Sequence, residues 1–248
     1  MTKPRDEKVR LDQLLVERGL ADSLDAAKRL IMAGEVVVGD QRVDKPGTSV
    51  RRDEAVRLKD SGSRFVSRGG DKLQAALADL GLEASLRDAV VLDVGASTGG
   101  FTDCCLKLGA RHVIALDVGT NQLVWELRQD KRVTVLEGTD IRAFDRAAHP
   151  PPDFVVADVS FNSLARLADA IVAAAPGARF LLLVKPQFEL RRDQIPEGGV
   201  VEDQALKDEA VEKVTAAFVK LGLKRQAAVE SKLAGRAGNR EIFLYFAA

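Results

Sequence analysis

From Ala89 onward the chain repeats one pattern: a short, wholly apolar run, a glycine or carboxylate, then a longer amphipathic stretch. The apolar runs are AVVLDVG (89–95), HVIALDV (112–118), VTVLEG (133–138), FVVADV (154–159) and RFLLLVKP (179–186). Runs without polar alternation predict strands covered on both faces. The stretches around them predict helices over 100–109, 121–129, 163–175 and 202–221. QAAVESK (226–232) and EIFLYFA (241–247) read as a closing antiparallel hairpin. Strands that alternate with helices predict a parallel sheet with helices on both sides.

The first sixty residues have a shorter period. Ser23 is placed to cap a helix through LDAAKRLIMA (24–33), with Leu24, Ala27, Leu30 and Ile31 on one face and Gly34 as its stop. VVV (36–38), GD and QRV (41–43) predict a tight hairpin, and KPG (45–47) a further turn. SGS at 61–63 is a polar break, which divides the chain into residues 1–62 and 63–248.

Composition narrows the class. The 248 residues are 46% hydrophobic and 30% charged, with 37 basic and 37 acidic side chains, so net charge names no partner. No apolar run reaches the roughly 18 residues of a membrane span. The longest, AIVAAAPGARFLLLV, is broken by Pro176, Gly177 and Arg179. MTKPRDEKVR lacks the apolar region of a signal peptide. Cys104 and Cys105 are adjacent on a predicted helix, which is neither a disulfide framework nor a zinc pattern. These features predict a reduced, cytoplasmic protein with no metal in its chemistry.

The first strand-to-helix turn is Asp93-Val94-Gly95-Ala96-Ser97-Thr98-Gly99-Gly100. A P-loop needs a lysine and a hydroxyl residue after its last glycine, whereas Phe101 follows here. The G-x-G-x-x-G fingerprint of dinucleotide sites is absent too. Asp93 within the turn would repel a pyrophosphate and favour a cationic ligand. Asp117 ends the second strand, where a carboxylate can accept both ribose hydroxyls. Asp140 follows the third, within reach of an adenine amino group. S-adenosylmethionine has these parts, and its carboxylate suits a helix N-terminus. The competing reading is that the three carboxylates only solubilise strand ends.

The methyl acceptor is narrowed by what is missing. Asp158-Val159-Ser160-Phe161 stands where amino methyltransferases carry an Asn/Asp-Pro-Pro-Tyr/Phe motif. The cysteines lie on the first helix, not near the fourth strand where a pyrimidine-C5 nucleophile would sit. Lys185 instead ends the apolar strand FLLLV, and Lys72 sits in SRGGDKL before the first core strand. Asp158 and Glu241 are carboxylates placed to hold such lysines. A positioned amine suits a sugar hydroxyl, a weak acid that needs help to lose its proton. The competing reading is a plain surface Lys–Asp pair.

At these positions the chain resembles a family. Residues 64–248 are similar to the FtsJ/RrmJ-like RNA ribose 2′-O-methyltransferases, which use a Lys-Asp-Lys-Glu tetrad. The matching residues are Lys72, Asp158 in ADVSF, Lys185 in LLVKPQFE and Glu241 in GNREIFLYF. RLDQLLVERGLADSLDAAKRLIMAGEVVVGDQRV, within residues 9–60, resembles the S4-type RNA-binding module. The pair together resembles the TlyA family, also labelled hemolysin A. The resemblance implies S-adenosylmethionine-dependent 2′-O-methylation of ribose, on cytidine, in bacterial ribosomal RNA. It implies a Rossmann-like α/β domain with a seven-stranded, mostly parallel sheet, preceded by a small α+β S4-like domain. Lys185 is then general base or hydroxyl-orienting group, tuned by Lys72, Asp158 and Glu241. The candidate cofactor residues are Asp93, Gly95, Ser97, Thr98, Gly99, Gly100 and Phe101, with Asp117, Asp140 and Asp158.

Arg10, Arg18, Lys28, Arg29, Arg42 and Lys45 are placed to line one RNA-facing side of the first module. Arg64, Arg68 and Lys72 carry positive charge on toward the reaction centre. Such contacts go to phosphates and position RNA without reading its sequence. Phe65 is either a base-stacking ring or a buried anchor. QFELRRDQIPEGGVV (187–201) reads as a loop able to close on the target nucleotide. Two other readings stand beside the enzyme: a ribosomal-RNA-binding protein without catalysis, and the membrane-lytic role in the hemolysin label.

Overall fold

In the computed structural model the described residues are 8–21, 23–32, 34–39, 41–58, 64–235 and 238–248. The SGS break, Ala33 at the end of the predicted first helix, and Asp40 in the hairpin turn lie outside them. Contacts divide the chain into two compact units, residues 1–63 and 64–248.

The first unit runs β1 (Lys8–Arg10), α1 (Leu11–Glu17), α2 (Leu24–Met32), β2 (Val36–Val38), β3 (Gln41–Val43), β4 (Ser49–Arg51) and β5 (Val56–Leu58). Strands β1 and β4 pair antiparallel, and β2 pairs with both β3 and β5. Ser23 Oγ accepts from the Ala26 amide at 3.2 Å, and Gly34, at φ +68°, ends α2. Leu11, Leu14, Leu15, Ala27, Ile31 and Val36 form a small core. Leu24, expected on the apolar face, is 45% exposed at the first residue of α2, whose buried residues are Ala27 and Ile31. Helix α1 and the three-residue strands β1, β4 and β5 were not predicted, being too short to show a period.

The second unit begins with α3 (Arg68–Asp79) and continues through β6 (Val90–Val94), α4 (Gly100–Lys107), β7 (His112–Asp117), α5 (Trp125–Arg128) and β8 (Val133–Glu137). Next come β9 (Phe154–Ala157), α6 (Leu164–Ala174), β10 (Arg179–Val184), α7 (Pro186–Glu189), α8 (Gln204–Lys220), β11 (Lys224–Glu230) and β12 (Ile242–Ala247). The seven strands are ordered β11-β12-β10-β9-β6-β7-β8. The pairs among β10, β9, β6, β7 and β8 are parallel, and β12 is antiparallel to both its neighbours. Alternate residues go to opposite layers. Val91, Val156, Leu181 and Phe243 pack with Leu73 and Leu77 of α3 and Cys104 of α4. Leu92, Val155, Leu182 and Leu244 pack with Ile171 of α6 and Val214 and Phe218 of α8. Both faces are covered, which is why these strands read as unbroken apolar runs.

Two predicted elements change. The helix expected over 121–129 shrinks to Trp125–Arg128. Glu137, at the end of β8, accepts the amides of Asn121, Gln122 and Leu123 at 2.7–2.9 Å and holds that segment out of a helix, with Asn121 left-handed at φ +57°. Helix α3 was not anticipated, because Gly69 and Gly70 in its first turn mask its periodicity.

Phe218 is fully buried, with ring centroids 5.2 Å from Phe246 and 6.4 Å from Phe180. Phe218→Ala is expected to destabilise the fold by about 3–5 kcal/mol. Urea unfolding should show a lower midpoint at unchanged slope; an unchanged midpoint would contradict this packing.

Candidate active site at the carboxyl edge of the sheet

Strand register brings three of the four tetrad positions to one edge. Asp158 is the first residue after β9, Lys185 the first after β10, and Glu241 the last before β12. Leu182 pairs with Ala157 and Val184 with Ile242, so Lys185 and Glu241 follow next in register on neighbouring strands. Such strands lie about 5 Å apart. Lys72 arrives from α3 rather than from a strand.

The four side chains form two ion pairs. Lys72 Nζ donates to Glu241 Oε2 at 2.6 Å, with both side chains nearly buried. Lys185 Nζ lies 2.6 Å from Asp158 Oδ1, a contact off the alignment of a hydrogen bond, and donates to Ser160 Oγ at 2.7 Å. The Lys185 side chain is 11% exposed, so Nζ is fixed near the surface with little room to wander.

The turn after β6 lies against this edge. Gly95 has φ +87°, and a Cβ there would stand 2.6 Å from the Asp158 carbonyl oxygen. Gly100 is confined in the same way, 2.9 Å from the Gly70 amide of α3. Ser97 (φ +49°) and Gly99 (φ +98°) complete the curl, and the Thr98 carbonyl accepts the Val124 amide at 3.3 Å. Phe101 belongs elsewhere: its ring is buried in the core against Phe243, so its side chain does not face the turn's cavity. Its expected cofactor contact is thereby reduced to its backbone.

The strand-end carboxylates differ in setting. Asp93 is fully buried; its Oδ2 accepts the Thr102 hydroxyl at 2.6 Å, while Oδ1 has no hydrogen-bond partner among the described residues. Burial lifts its carboxyl to about 7; the Thr102 bond opposes this, and the charges of Asp158 and Asp117 add to it. Asp117 accepts the Ser97 and Gly119 amides, both at 2.7 Å, and so pins the turn to the end of β7. Asp140 is held by Arg142 at 2.6 and 2.8 Å, which keeps its carboxyl down at about 2. Only the lone pairs left over from that fork remain to meet an adenine. Glu137 was passed over by the sequence reading, although it too ends a strand. Burial works against its charge, but Arg128 and the three amides outweigh it and hold it at about 2.

A cationic, phosphate-free ligand fits these residues. Asp93 Oδ1 is a buried acceptor with no hydrogen-bond partner among the described residues, and Gly95 lets the turn come down against the Asp158 backbone with no side chain between them. Asp93, the amides of the turn and Asp117 are the groups that would hold S-adenosylmethionine. Cys104 and Cys105 are fully buried, and burial raises both thiols, which removes them as nucleophiles.

The expected RNA-facing cations divide. Lys28 and Arg29 stand on the outer side of α2, Lys28 only 3.5 Å from Asp25. Arg10 is forked onto Asp12 at 2.7 and 3.0 Å, and Arg18 donates to the carbonyls of Glu54 and Arg52 at 2.7 and 2.5 Å. Arg42 and Lys45 are exposed. In the second unit Arg64 donates to Gln74, and Arg68 to the Ala234 carbonyl at 3.3 Å. Phe65 is buried beneath Lys107, whose Nζ lies 5.0 Å from the ring centre. The segment 187–201 is not irregular throughout. It starts within α7, and Asn239 ties its far end by accepting from the Val201 amide and donating to the Gly199 carbonyl, both at 2.8 Å.

Comparison with known proteins gives two family matches: S4 domain over residues 9–56 and FtsJ-like methyltransferase over residues 65–248. The 16S/23S rRNA (cytidine-2′-O)-methyltransferase TlyA of Mycobacterium tuberculosis is 43% identical over 241 residues, 96% of this chain and 89% of that protein. A solved Streptococcus thermophilus structure with the provisional name hemolysin is 40% identical, with TM-score 0.74 over 97% of this chain and 88% of its own. Aeropyrum pernix fibrillarin, solved with natively bound S-adenosyl-L-methionine, shares the fold at 16% identity, TM-score 0.53, over 86% of this chain and 99% of its own.

Asp93 generates a pH prediction. In the fold its carboxyl keeps a proton between 3.8, its ordinary value, and about 7, a window in which the unfolded chain has lost it. Its contribution to stability is therefore complete below that window and is lost as pH rises through it. A cationic ligand favours the carboxylate, so affinity for S-adenosylmethionine is expected to rise as pH climbs through about 7. Calorimetric titration from about pH 6 to about pH 8 should show this in the wild type, with Asp93→Asn weaker and flat. A flat wild-type profile would count against Asp93 as the cation's partner.

Proposed function

The chain belongs to the FtsJ-like methyltransferase family and carries an S4 domain ahead of that domain, and from this premise we propose that it methylates cytidine 2′-hydroxyls in ribosomal RNA. The observation that carries the reading is the pair of lysine–carboxylate contacts at the sheet edge, beside a turn built for a cationic ligand. S-adenosylmethionine, when bound, supplies the methyl group. Lys185 presents Nζ to the attacking hydroxyl, as base or as the donor that orients it, and Asp158 and Ser160 fix the direction of Nζ. Glu241 pairs with Lys72 on the α3 side, while Lys185, paired with Asp158 at the end of β10, is the lysine that meets the reacting oxygen.

We assign residues 1–62 to RNA binding and 63–248 to the chemistry, with the division at SGS. Lys28 and Arg29, and the exposed edges of Arg10, Arg18, Arg42, Arg64 and Arg68, meet phosphates. That grip positions the RNA and weakens steeply with salt. A ribose within folded RNA reaches such a site only when its nucleotide is turned outward. An enzyme of ribosomal RNA works where ribosomes are, in the cytoplasm.

The hemolysin name of the Streptococcus thermophilus structure supplies the second reading. Among the described residues no helix is long and apolar enough to cross a membrane. Dye release from liposomes by RNA-free protein would favour that role.

Methyl transfer from labelled S-adenosylmethionine to separated ribosomal subunits tests the proposal. The wild type should yield 2′-O-methylcytidine. Lys185→Ala should lose roughly 10²–10⁴-fold in kcat/KM with cofactor and RNA binding retained. RNA binding without any methyl transfer by the wild type would favour a non-catalytic binding protein.

A further inference from the structure

Two segments leave the carboxyl edge of the sheet side by side. One follows β9 and runs from Asp158 to Leu164 at the start of α6. The other follows β10 and runs from Lys185 through α7 to Glu189. Their strands are paired in parallel as far as Ala157 and Leu182. Beyond that point side chains join them, in chain order. Lys185 Nζ meets Asp158 and donates to Ser160 Oγ. The Phe188 ring centre lies 5.5 Å from that of Phe161. Glu189 accepts the Ser163 hydroxyl through Oε2 at 2.5 Å and the Leu164 amide through Oε1 at 2.6 Å. The contact that serves the chemistry is thus one end of a zipper, and Glu189 is the other.

The three links differ in strength. The Asp158 side chain is 24% exposed, and its pairing with Lys185 is the one a substrate must disturb. Phe161 is 93% exposed, so its contact with Phe188 removes little of the ring from water. Glu189 is 2% exposed, and Ser163 and Leu164 are buried with it. A carboxylate that accepts two bonds away from water makes charge-assisted bonds stronger than neutral ones. It also stands at the first turn of α6, where the helix dipole favours negative charge. Lys213 of α8 donates to the Glu189 backbone carbonyl, which fixes the end of α7 as well.

Capping of α6 does not by itself call for Glu189. Ser163 is already the N-cap, its Oγ accepting the Arg166 amide at 3.4 Å. Glu189 adds a bond to that hydroxyl from a different element. Between the two ends of the zipper Phe161 sits at φ +63°. A bulky residue holds that conformation only where its surroundings over-determine it. The Val94 carbonyl accepts the Asp158 amide at 3.0 Å on one side, and Glu189 holds Ser163 and Leu164 on the other. Ser160 lies inside that span. The place of its hydroxyl, and with it the direction of Lys185 Nζ, depends on Glu189.

We propose that Glu189 is a positioning residue for ribose methylation: its buried carboxylate ties the segment after β10 to the segment after β9 and so sets where Lys185 Nζ stands against Asp158 and Ser160. It acts through Lys185, not on the substrate. The inference rests on the ribose-methylation reading and adds the residue that aims its lysine.

The test uses the full-length protein and two variants that weaken the link from either side. Glu189→Gln puts an amide where both partners are donors, so one acceptor oxygen is left for the two. Ser163→Ala removes the hydroxyl and keeps the Leu164 bond. The first readout is methyl transfer at saturating RNA. Glu189→Gln should lose roughly ten- to a hundred-fold in kcat, and Ser163→Ala less, with KM for S-adenosylmethionine unchanged in both. The second readout needs no substrate: labelling of Lys185 by a small amine-reactive reagent, read by peptide mass spectrometry. An amine held protonated against a carboxylate is a poor nucleophile, so Lys185 should label several-fold faster in both variants, while the exposed Lys131 labels as in the wild type. Should Glu189→Gln not fold, Ser163→Ala carries the same two readouts. A lower melting temperature with kcat and Lys185 labelling as in the wild type would make Glu189 a helix cap and overturn the proposal. A wild type that makes no 2′-O-methyl nucleotide would overturn the ribose-methylation reading instead, and the labelling would still decide whether Glu189 holds Lys185.

Discussion

The close approach of two backbones at the centre of the sheet organises the second unit. Between β6 and β9 the strand order reverses, and the chain passes from β8 at one edge back to the middle. A crevice opens at such a reversal beyond the carboxyl ends of the strands. Gly95 lets the first turn descend into it until it nearly touches the Asp158 carbonyl. A side chain at that position would push the turn away from β9. The glycine turn and the residues at the ends of β9 and β10 would then no longer share one wall.

The charges around the crevice follow from that approach. Asp93 sits at the bottom of the turn, where no water reaches Oδ1, and so it keeps its proton to about 7. Asp117 and Glu137 accept backbone amides and so shape the loops after β6 and β7. The buried Lys72–Glu241 pair costs desolvation on both sides and is weak evidence for stability. Its effect is positional: it links α3 to the start of β12, and so to the strand next to Lys185. The two lysine side chains are equally exposed, and it is the carboxylate that differs: Asp158 stands nearer solvent than Glu241.

Much of the fold is legible in the sequence because a doubly covered sheet forces its strands to be apolar at every position. The five parallel strands follow from that rule, within one or two residues at each end; β11 of the final hairpin does not, being an exposed strand at the edge of the sheet. Elements without a strong period are not legible. Helix α3 hides behind two glycines, and the helix expected from residue 121 is cut short by a carboxylate sixteen residues away. The four tetrad residues are visible as strand-end or glycine-flanked charges. Their pairing is not: nothing in the order of the chain says that Lys72 joins Glu241 and Lys185 joins Asp158. Phe101 shows another limit, since a residue next to the glycine turn can point its side chain into the core.

The sequence by itself determined the strands of the large sheet and the helices with a strong period, the two-part organisation, and the chemical character of the site. Those depend on composition and on spacing along the chain, which are local. Only the tertiary structure decided which carboxylate partners which lysine, which acids are consumed by backbone amides, and which polar atoms are buried without a partner. Hydrogen bonds and burial are properties of what surrounds a group in space. Gln187 illustrates the division: in the chain it is one residue of a loop, and in the fold its Oε1 is buried with no hydrogen-bond partner among the described residues.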